Sequence, residues 1–234
     1  LTTTQVVALS TAQVAALTSD QLNALSSTQL QAIETIDIQA FETSQIAALT
    51  SDQLNTLTTA QVVALTTVQV AALTSDQLNA LASTQLQAIE TIDIQALDTA
   101  QIAALSSDQL NALASAQFAA LTSTQLNAMT SVALQALETG DLQALTTAQV
   151  RSLSSTTLNN LSSTQIQALS SSQLQALTST QLNGLSSTQV VSLSSANVRA
   201  LTSTQLNALS SSVLQALETS DLQALTSTQV SALS

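Results

Sequence analysis

The sequence predicts an all-α solenoid of short helices, with one helix for each eight-residue repeat. Three observations lead to this prediction. The chain of 234 residues divides into 29 octads, covering residues 1–232, without a single insertion or deletion. Most octads place a hydroxyl residue and a Gln at helix-capping spacing. Large apolar residues recur at fixed positions, as expected when stacked repeats bury a shared core.

The octad has a strict residue pattern. Position 1 is Leu in 25 of 29 octads, position 3 is Ser or Thr in all of them, and position 5 is Gln in 21. Position 6 is always apolar, position 8 is Ala in 24, and positions 2, 4 and 7 are mostly small and polar. We therefore expect positions 1, 6 and 8 to form one continuous core. In two central octads this core would contain Leu105, Leu110, Ala112 and Leu113.

An eight-residue period does not fit one uninterrupted α-helix. Eight residues at 100° each advance the chain by about 800°, so an apolar stripe drifts about 80° in every octad. Such a stripe would wind around the helix and never face a single core. The helix must therefore restart once in each octad.

The capping pattern indicates where each helix restarts. If Thr18 is an N-cap, Gln21 falls at N3 and completes a capping box. Leu17 and Leu22 then have the spacing of a hydrophobic staple, and the helices are about five or six residues long. Position 3 is an alternative cap, or its hydroxyl is buried and bonds a neighbouring turn, because position 2 is not always a hydroxyl residue. In seven octads position 2 is Glu or Ala; these residues are Glu34, Glu42, Ala82, Glu90, Ala114, Glu138 and Glu218.

A β-solenoid is the competing fold. Val, Ile and Thr are frequent, and positions 1 and 3, then 6 and 8, could alternate inward. Repeated β-corners usually need Gly, Asn or Asp, however, and the chain has only Gly140 and Gly184 and no Pro. Disorder is disfavoured because 45% of the residues are hydrophobic and regularly spaced.

The composition argues against catalysis and cofactor binding. The chain has no Cys, His, Lys, Trp or Tyr, so the carboxylates are the remaining acid–base groups. They recur as a motif, and we interpret them as acids near helix starts, where the helix dipole favours negative charge. We expect no catalytic, cofactor-binding or metal-binding residue, although calcium takes carboxylate and amide oxygens. The recurring pairs are Glu34/Asp37, Glu90/Asp93, Glu138/Asp141 and Glu218/Asp221.

Charge limits the partners of the chain. The net charge is −12, and Arg151 and Arg199 are the two basic residues. Nucleic acids and anionic membrane surfaces are therefore disfavoured as partners. No apolar run approaches the length of a membrane span, so we expect no membrane insertion.

No domain boundary is visible within residues 1–234. We interpret them as one continuous array of 29 octads, and expect it to be a window of a longer chain because it opens in mid-array without a start Met. Residues 17–40 recur with one change at residues 73–96, and weaker copies occupy 121–144 and 201–224. This pattern is typical of drift after tandem duplication.

Two resemblances follow from these motifs. Residues 1–10, LTTTQVVALS, are similar to the first-helix opening of the TAL-effector repeats of plant pathogens, which supports a capped helix start. The base-reading loop and second helix of those repeats are missing, so DNA binding is not implied. The whole chain resembles the L-[TS]-[TS]-x-Q-[VLI]-x-A octapeptide arrays of very large bacterial surface or secreted proteins. That resemblance implies an extracellular structural or adhesive role.

We therefore predict a non-enzymatic, extracellular or cell-surface structural protein: a stalk, a spacer, or a filament or sheath subunit. Its Ser, Thr, Gln and Asn surface could bond further copies of itself, so its expected partner is itself, through lateral or end-to-end association. The alternative is an adhesive binding module that presents the Ser/Thr/Gln face to surface glycans or to another surface.

Overall fold

A computed structural model describes residues 1–233 of the chain. Over this range it contains 29 short α-helices, one in each octad, and no β-strand. The fold class predicted from the sequence is therefore confirmed, and the β-solenoid is not formed. The helices are α1 Thr3–Val7, α2 Thr11–Ala15, α3 Ser19–Asn23, α4 Ser27–Gln31, α5 Thr35–Ile38, α6 Thr43–Ala48, α7 Ser51–Thr56, α8 Thr59–Val63, α9 Thr67–Ala71, α10 Ser75–Ala80, α11 Ser83–Ala88, α12 Thr91–Ala96, α13 Thr99–Ala104, α14 Ser107–Ala112, α15 Ser115–Ala120, α16 Ser123–Ala128, α17 Ser131–Ala136, α18 Thr139–Ala144, α19 Thr147–Ser152, α20 Ser155–Asn160, α21 Ser163–Gln167, α22 Ser171–Ala176, α23 Ser179–Asn183, α24 Ser187–Ser192, α25 Ser195–Ala200, α26 Ser203–Asn207, α27 Ser211–Ala216, α28 Thr219–Gln223 and α29 Ser227–Ser231.

Each helix begins at position 3, which makes position 2 the N-cap. The Thr66 hydroxyl accepts a hydrogen bond from the Gln69 backbone N–H at 3.4 Å, and the Gln69 Oε1 accepts one from the Thr66 backbone N–H at 2.8 Å. This is the predicted capping box, and it recurs in most octads. Position 2, not position 3, is therefore the cap.

The corner between two helices consists of two extended residues. Leu49 ends α6 with φ −60° and ψ 138°, and Thr50 begins α7 as its N-cap with φ −70° and ψ 155°. Residues with a side chain adopt these angles readily, and within residues 1–233 no φ is positive. The corners therefore need neither Gly nor Pro.

Most helices within one compact part of the chain pack against a helix three octads away. The helix α12, for example, contacts α9 and α15, and α22 contacts α19 and α25. Each turn of the solenoid therefore contains three helices. A helix of five or six residues is too short to be stable alone, so these contacts between turns hold it in place.

The core is built from positions 1 and 6. Leu110 is fully buried, and Leu105 and Leu113 are buried beside it. Ala112 is only half-buried, so the expectation that position 8 belongs to the core is wrong. Position 8 instead lies against position 3 of the preceding turn: a Cβ on Gly184 would stand 3.1 Å from the Ser155 Cβ.

The chain divides into two compact units. The first comprises Leu1–Leu121, and the second runs from Thr122 to the end of the described chain. Within each unit the helices pack three octads apart, so both units are built by the same rule. None of the helices described in either unit is long and apolar enough to span a bilayer.

Candidate functional site: the glutamine ladder between turns

The position-5 glutamine is the residue that sequence reasoning missed. It was expected only to cap its own helix, yet most copies are buried together with the apolar core; Gln61, Gln69 and Gln117, for example, are each 2% exposed. A buried amide requires hydrogen-bond partners. The signal in the sequence was that position 5 is Gln in 21 octads and never Glu, although Glu would cap the helix as well.

The side chain of each buried Gln bonds in two directions. In Gln61 the Oε1 accepts a hydrogen bond from the Thr58 N–H at 3.0 Å. The Nε2 donates to the carbonyl oxygens of Leu30 and Ile33, both at 2.8 Å. These carbonyls lie 31 and 28 residues earlier, at the corner of the preceding turn. The side chain thus joins its own helix start to the corner stacked next to it.

The same bonds recur along both units, and we call them the glutamine ladder. In the first unit, Gln69 donates to Ile38 and Phe41 and Gln77 donates to Ile46 and Leu49. In the second unit, glutamines at the same position repeat the pattern, with most distances between 2.7 and 2.9 Å. They are Gln165, Gln173, Gln181, Gln189 and Gln205.

A second set of bonds runs in the opposite direction along the chain from position 7. The Asn79 Nδ2 donates to the Ala104 carbonyl at 2.7 Å, and its Oδ1 accepts from the Ser106 N–H at 2.8 Å. In other octads the Gln at position 5 accepts the N–H of the N-cap residue. Here Asn79 accepts the Ser106 N–H, so the buried Gln109 Oε1 has no partner. At Ser186 both acceptors share the N–H, with Asn159 Oδ1 and Gln189 Oε1 each at 3.0 Å.

The invariant hydroxyl at position 3 has few polar contacts. Within residues 1–233, Ser123 bonds the Ser152 hydroxyl and Ser195 donates to Asp221 Oδ1 at 3.0 Å. At Gly184 the close approach of position 8 leaves room for only a small residue at position 3, which is Ser155. Nothing in the structure explains why it is never Ala.

The four acidic pairs lie where the sequence placed them, at helix starts. Glu is the N-cap and Asp is N3 in α5, α12, α18 and α28, which puts the Asp in the place of a ladder Gln. Asp37, Asp93 and Asp221 are buried, whereas the Glu of each pair is exposed. Across residues 1–233, no three acidic side chains come together as a possible metal site.

One of these aspartates, Asp141, has a shifted pKa. Burial raises the pKa of the Asp141 carboxyl, and the charge of Glu138 raises it further, while a hydrogen bond from the Glu138 N–H opposes both effects. The Asp141 Oδ2 is buried and accepts no hydrogen bond within the part of the chain described. A carboxylate in the place of the Gln is therefore an imperfect member of the ladder.

Comparison with known families agrees with this repeat pattern. The model of the ALTTAQ repeat matches residues 1–27, 30–67, 86–123, 134–171, 157–187, 167–203 and 179–211, which together cover more than half of the chain. The chain belongs to the ALTTAQ repeat family. The Gln of the ALTTAQ motif is the ladder residue. A comparison with curated proteins gave no significant match.

Proposed function

We propose that this array is a non-enzymatic structural segment, a stalk, spacer, or filament or sheath subunit outside a bacterial cell. The observation that carries the proposal is the glutamine ladder. Its acceptors are backbone carbonyls, which every octad has whatever its side chains. An octad with Gln at position 5 can therefore stack on any other octad, and length can grow or shrink by whole octads. Adjustable length is what a spacer requires.

The composition supports a location outside the cell. The chain has no thiol that could be oxidised. It has no Lys, so trypsin-like proteases could cut only after Arg151 and Arg199. Both properties suit a protein exposed to an oxidising and proteolytic environment.

Self-association would follow from the two surfaces of a turn. Within the chain, one surface of a turn offers Gln Nε2 donors to the preceding turn, and its other surface offers corner carbonyls to the following turn. A second copy of the chain that presented its own corner carbonyls to such donors would extend the ladder from one copy to the next.

Deletion variants test the spacer role. Removing residues 57–72, two octads, should preserve the helical circular dichroism spectrum and the assembly state. The maximum dimension in small-angle X-ray scattering should fall. Removing residues 57–60, half an octad, is the control, because it shifts the ladder out of phase and should disrupt the fold around the junction. Loss of a ligand affinity in the 57–72 deletion, with the fold intact, would contradict the proposal.

One observation favours the alternative of an adhesive module. Four exposed threonines occupy position 4 in consecutive turns of the second unit, and form a column of hydroxyls on one side: Thr156, Thr180, Thr204 and Thr228. A glycan array compares the natural chain with a Thr180→Val/Thr204→Val variant. Glycan binding that disappears in the variant would establish the adhesive role.

A further inference from the structure

An open groove of about 520 Å³ is formed by residues from three successive turns of the first unit. Its apolar lining consists of Val63, Ile92, Ala114 and Ala116, and Glu90 is the charged residue in it. The side chains of Val63 and Ile92 are 46% and 57% exposed. Exposed apolar side chains that share one concave surface are typical of a binding site.

The groove is a local departure from the octad pattern. Ile92 and Ala116 occupy position 4 and Val63 occupies position 7, where the repeat usually has a small polar residue. Two turns earlier in the same stack of helices, α6 has Ser44 in the place of Ile92, although Glu42 matches Glu90 as the N-cap. The combination of a large apolar residue with the Glu is therefore specific to the groove.

Charge indicates what kind of surface fits the groove. The first unit has ten carboxylates and no basic residue, whereas the second unit has four carboxylates and two arginines. Two first units would repel each other, and Glu90 favours an occupant with a positive charge. The second unit of another copy is therefore the complementary surface that this chain offers.

Arg151 has the properties that such an occupant requires. It is exposed at the end of α19, and within residues 1–233 its side chain forms no ion pair. The exposed Ala148 lies three residues earlier, on the same face of the helix, so the surface beside the arginine is flat. The helix α19 packs on α22, which carries no charge. Arg151 is therefore available to a carboxylate of another molecule.

Arg199 has a similar local sequence but different surroundings. It follows an exposed Ala196 by three residues, as Arg151 follows Ala148. The helix α25 that carries it packs on α28, however, which contains Asp221 and begins after Glu218. These two carboxylates reduce the positive potential around Arg199. Arg151 is therefore the better match to the groove.

We propose that the groove binds α19 of a second copy of the chain, with the Arg151 guanidinium beside Glu90 and the Arg151 methylenes along Ile92 and Ala116. The proposal rests on the self-association proposed above and assigns a lateral contact to it. An Arg can bury its methylenes on an apolar surface while its guanidinium pairs with a carboxylate. Since exposed ion pairs contribute little affinity, the apolar contact supplies the affinity and the pair selects the partner.

Sedimentation velocity of the 234-residue chain over a range of protein concentrations tests the contact. The natural chain should associate as concentration rises, and added NaCl should weaken the association by screening the pair. Glu90→Arg and Arg151→Glu should each weaken it at least about tenfold, because repulsion replaces attraction. An equimolar mixture of the two variants should associate again, because each groove then meets an arginine helix of opposite charge.

Matched variants control for net charge and for the apolar contact. Glu42→Arg and Arg199→Glu change the charge of the chain equally and should retain most of the association. Ile92→Ser introduces the residue that α6 has at this position and should weaken association about fivefold through lost apolar burial. Circular dichroism should show the natural helical spectrum for every variant.

The proposal is overturned if Glu90→Arg weakens association no more than Glu42→Arg, or if the mixed variants do not associate. Self-association would then persist through another surface. A chain that stays monomeric at every concentration also overturns it, while the shortening on deletion of residues 57–72 still tests the spacer role. Binding of hexa-arginine by a monomeric chain, lost in Glu90→Arg, would assign the groove to a different basic partner.

Discussion

The Gln69 side chain donates a hydrogen bond from Nε2 to the Phe41 carbonyl oxygen, 28 residues earlier in the chain, at 2.8 Å. The same nitrogen donates to the Ile38 carbonyl, also at 2.8 Å. One side chain thus satisfies two buried acceptors of the preceding turn and the N–H of its own cap. Packing between turns and helix capping therefore depend on the same residue.

Gln69→Ala should be strongly destabilising. It leaves the Ile38 and Phe41 carbonyls without their side-chain partner, and an unsatisfied buried group costs about 1–3 kcal/mol. Gln13→Ala is the control, because Gln13 is exposed and makes bonds only to Ser10; it should cost about 0.5–1 kcal/mol. Native-state hydrogen exchange in α6 and α9 measures the local effect, since long arrays need not unfold in one step. Equal costs at the two sites would refute a role for the ladder.

The caps give a second comparison between adjacent residues. Thr66→Ala removes the acceptor of the Gln69 N–H and should cost about 1 kcal/mol. Thr67→Ala, one residue later, changes an exposed hydroxyl that makes no side-chain bond and should change the stability by less than about 0.5 kcal/mol. Urea titrations of both variants measure the difference. A larger effect at Thr67 would make position 3 the functional cap.

The core position 6 is tested at Leu110, which is fully buried. Leu110→Ala should cost about 2–5 kcal/mol through lost contacts and a cavity. Leu110→Asp should unfold the surrounding turns, because it places a charge in an apolar layer. Val68→Ala, at a side chain that is 66% exposed, is the matched control and should be nearly neutral. Unchanged exchange protection in Leu110→Asp would show that the octad phase is wrong.

Gln109 should be able to replace one of the hydrogen bonds that Asn79 makes. In Asn79→Ala the Ser106 N–H loses its acceptor, but the Gln109 Oε1 has no partner and can accept that N–H to form the usual capping box. The single variant should therefore cost only about 0.5–1 kcal/mol. A double-mutant cycle with Gln109→Ala should reveal a coupling of about 0.5–1 kcal/mol. Additive effects would show that Gln109 does not take over this bond.

Asp141 should titrate at an unusually high pH. Burial and the Glu138 charge raise the pKa of its carboxyl, so the folded chain holds this proton more tightly than the unfolded chain. The carboxylate therefore weakens the fold above the folded-state pKa, and this cost is relieved as pH falls through it. The carboxyl ¹³C shift of Asp141, followed by NMR against pH, measures the midpoint. A midpoint in the ordinary range of an aspartate would contradict the prediction.

The sequence was sufficient to predict the helices but not the contacts between turns. The local spacing of Thr66 and Gln69 predicted the helix length correctly, but it left the cap open between positions 2 and 3, and the structure shows that position 2 is the cap. The bond from Gln69 to Phe41 depends on three octads completing one turn, and the octad pattern contains no information about that number. The burial of Gln69 and the partial exposure of Ala112 depend on the same three-octad turn. For this reason we expected the Ala to lie in the core and the Gln to act only in the cap.

Because each turn contains three helices, the number of octads between two residues determines whether they lie on the same side of the solenoid. Thr180 and Thr204 lie on one side because 24 residues separate them. If one octad were gained between them, Thr204 would move by a third of a turn and appear on another side, while the backbone acceptors of the ladder would be unchanged. Duplication of an octad can therefore change the arrangement of exposed side chains without changing the hydrogen bonds of the ladder. An array lengthened by three octads would keep its surface columns aligned, whereas one lengthened by one or two octads would present a new arrangement to its surroundings.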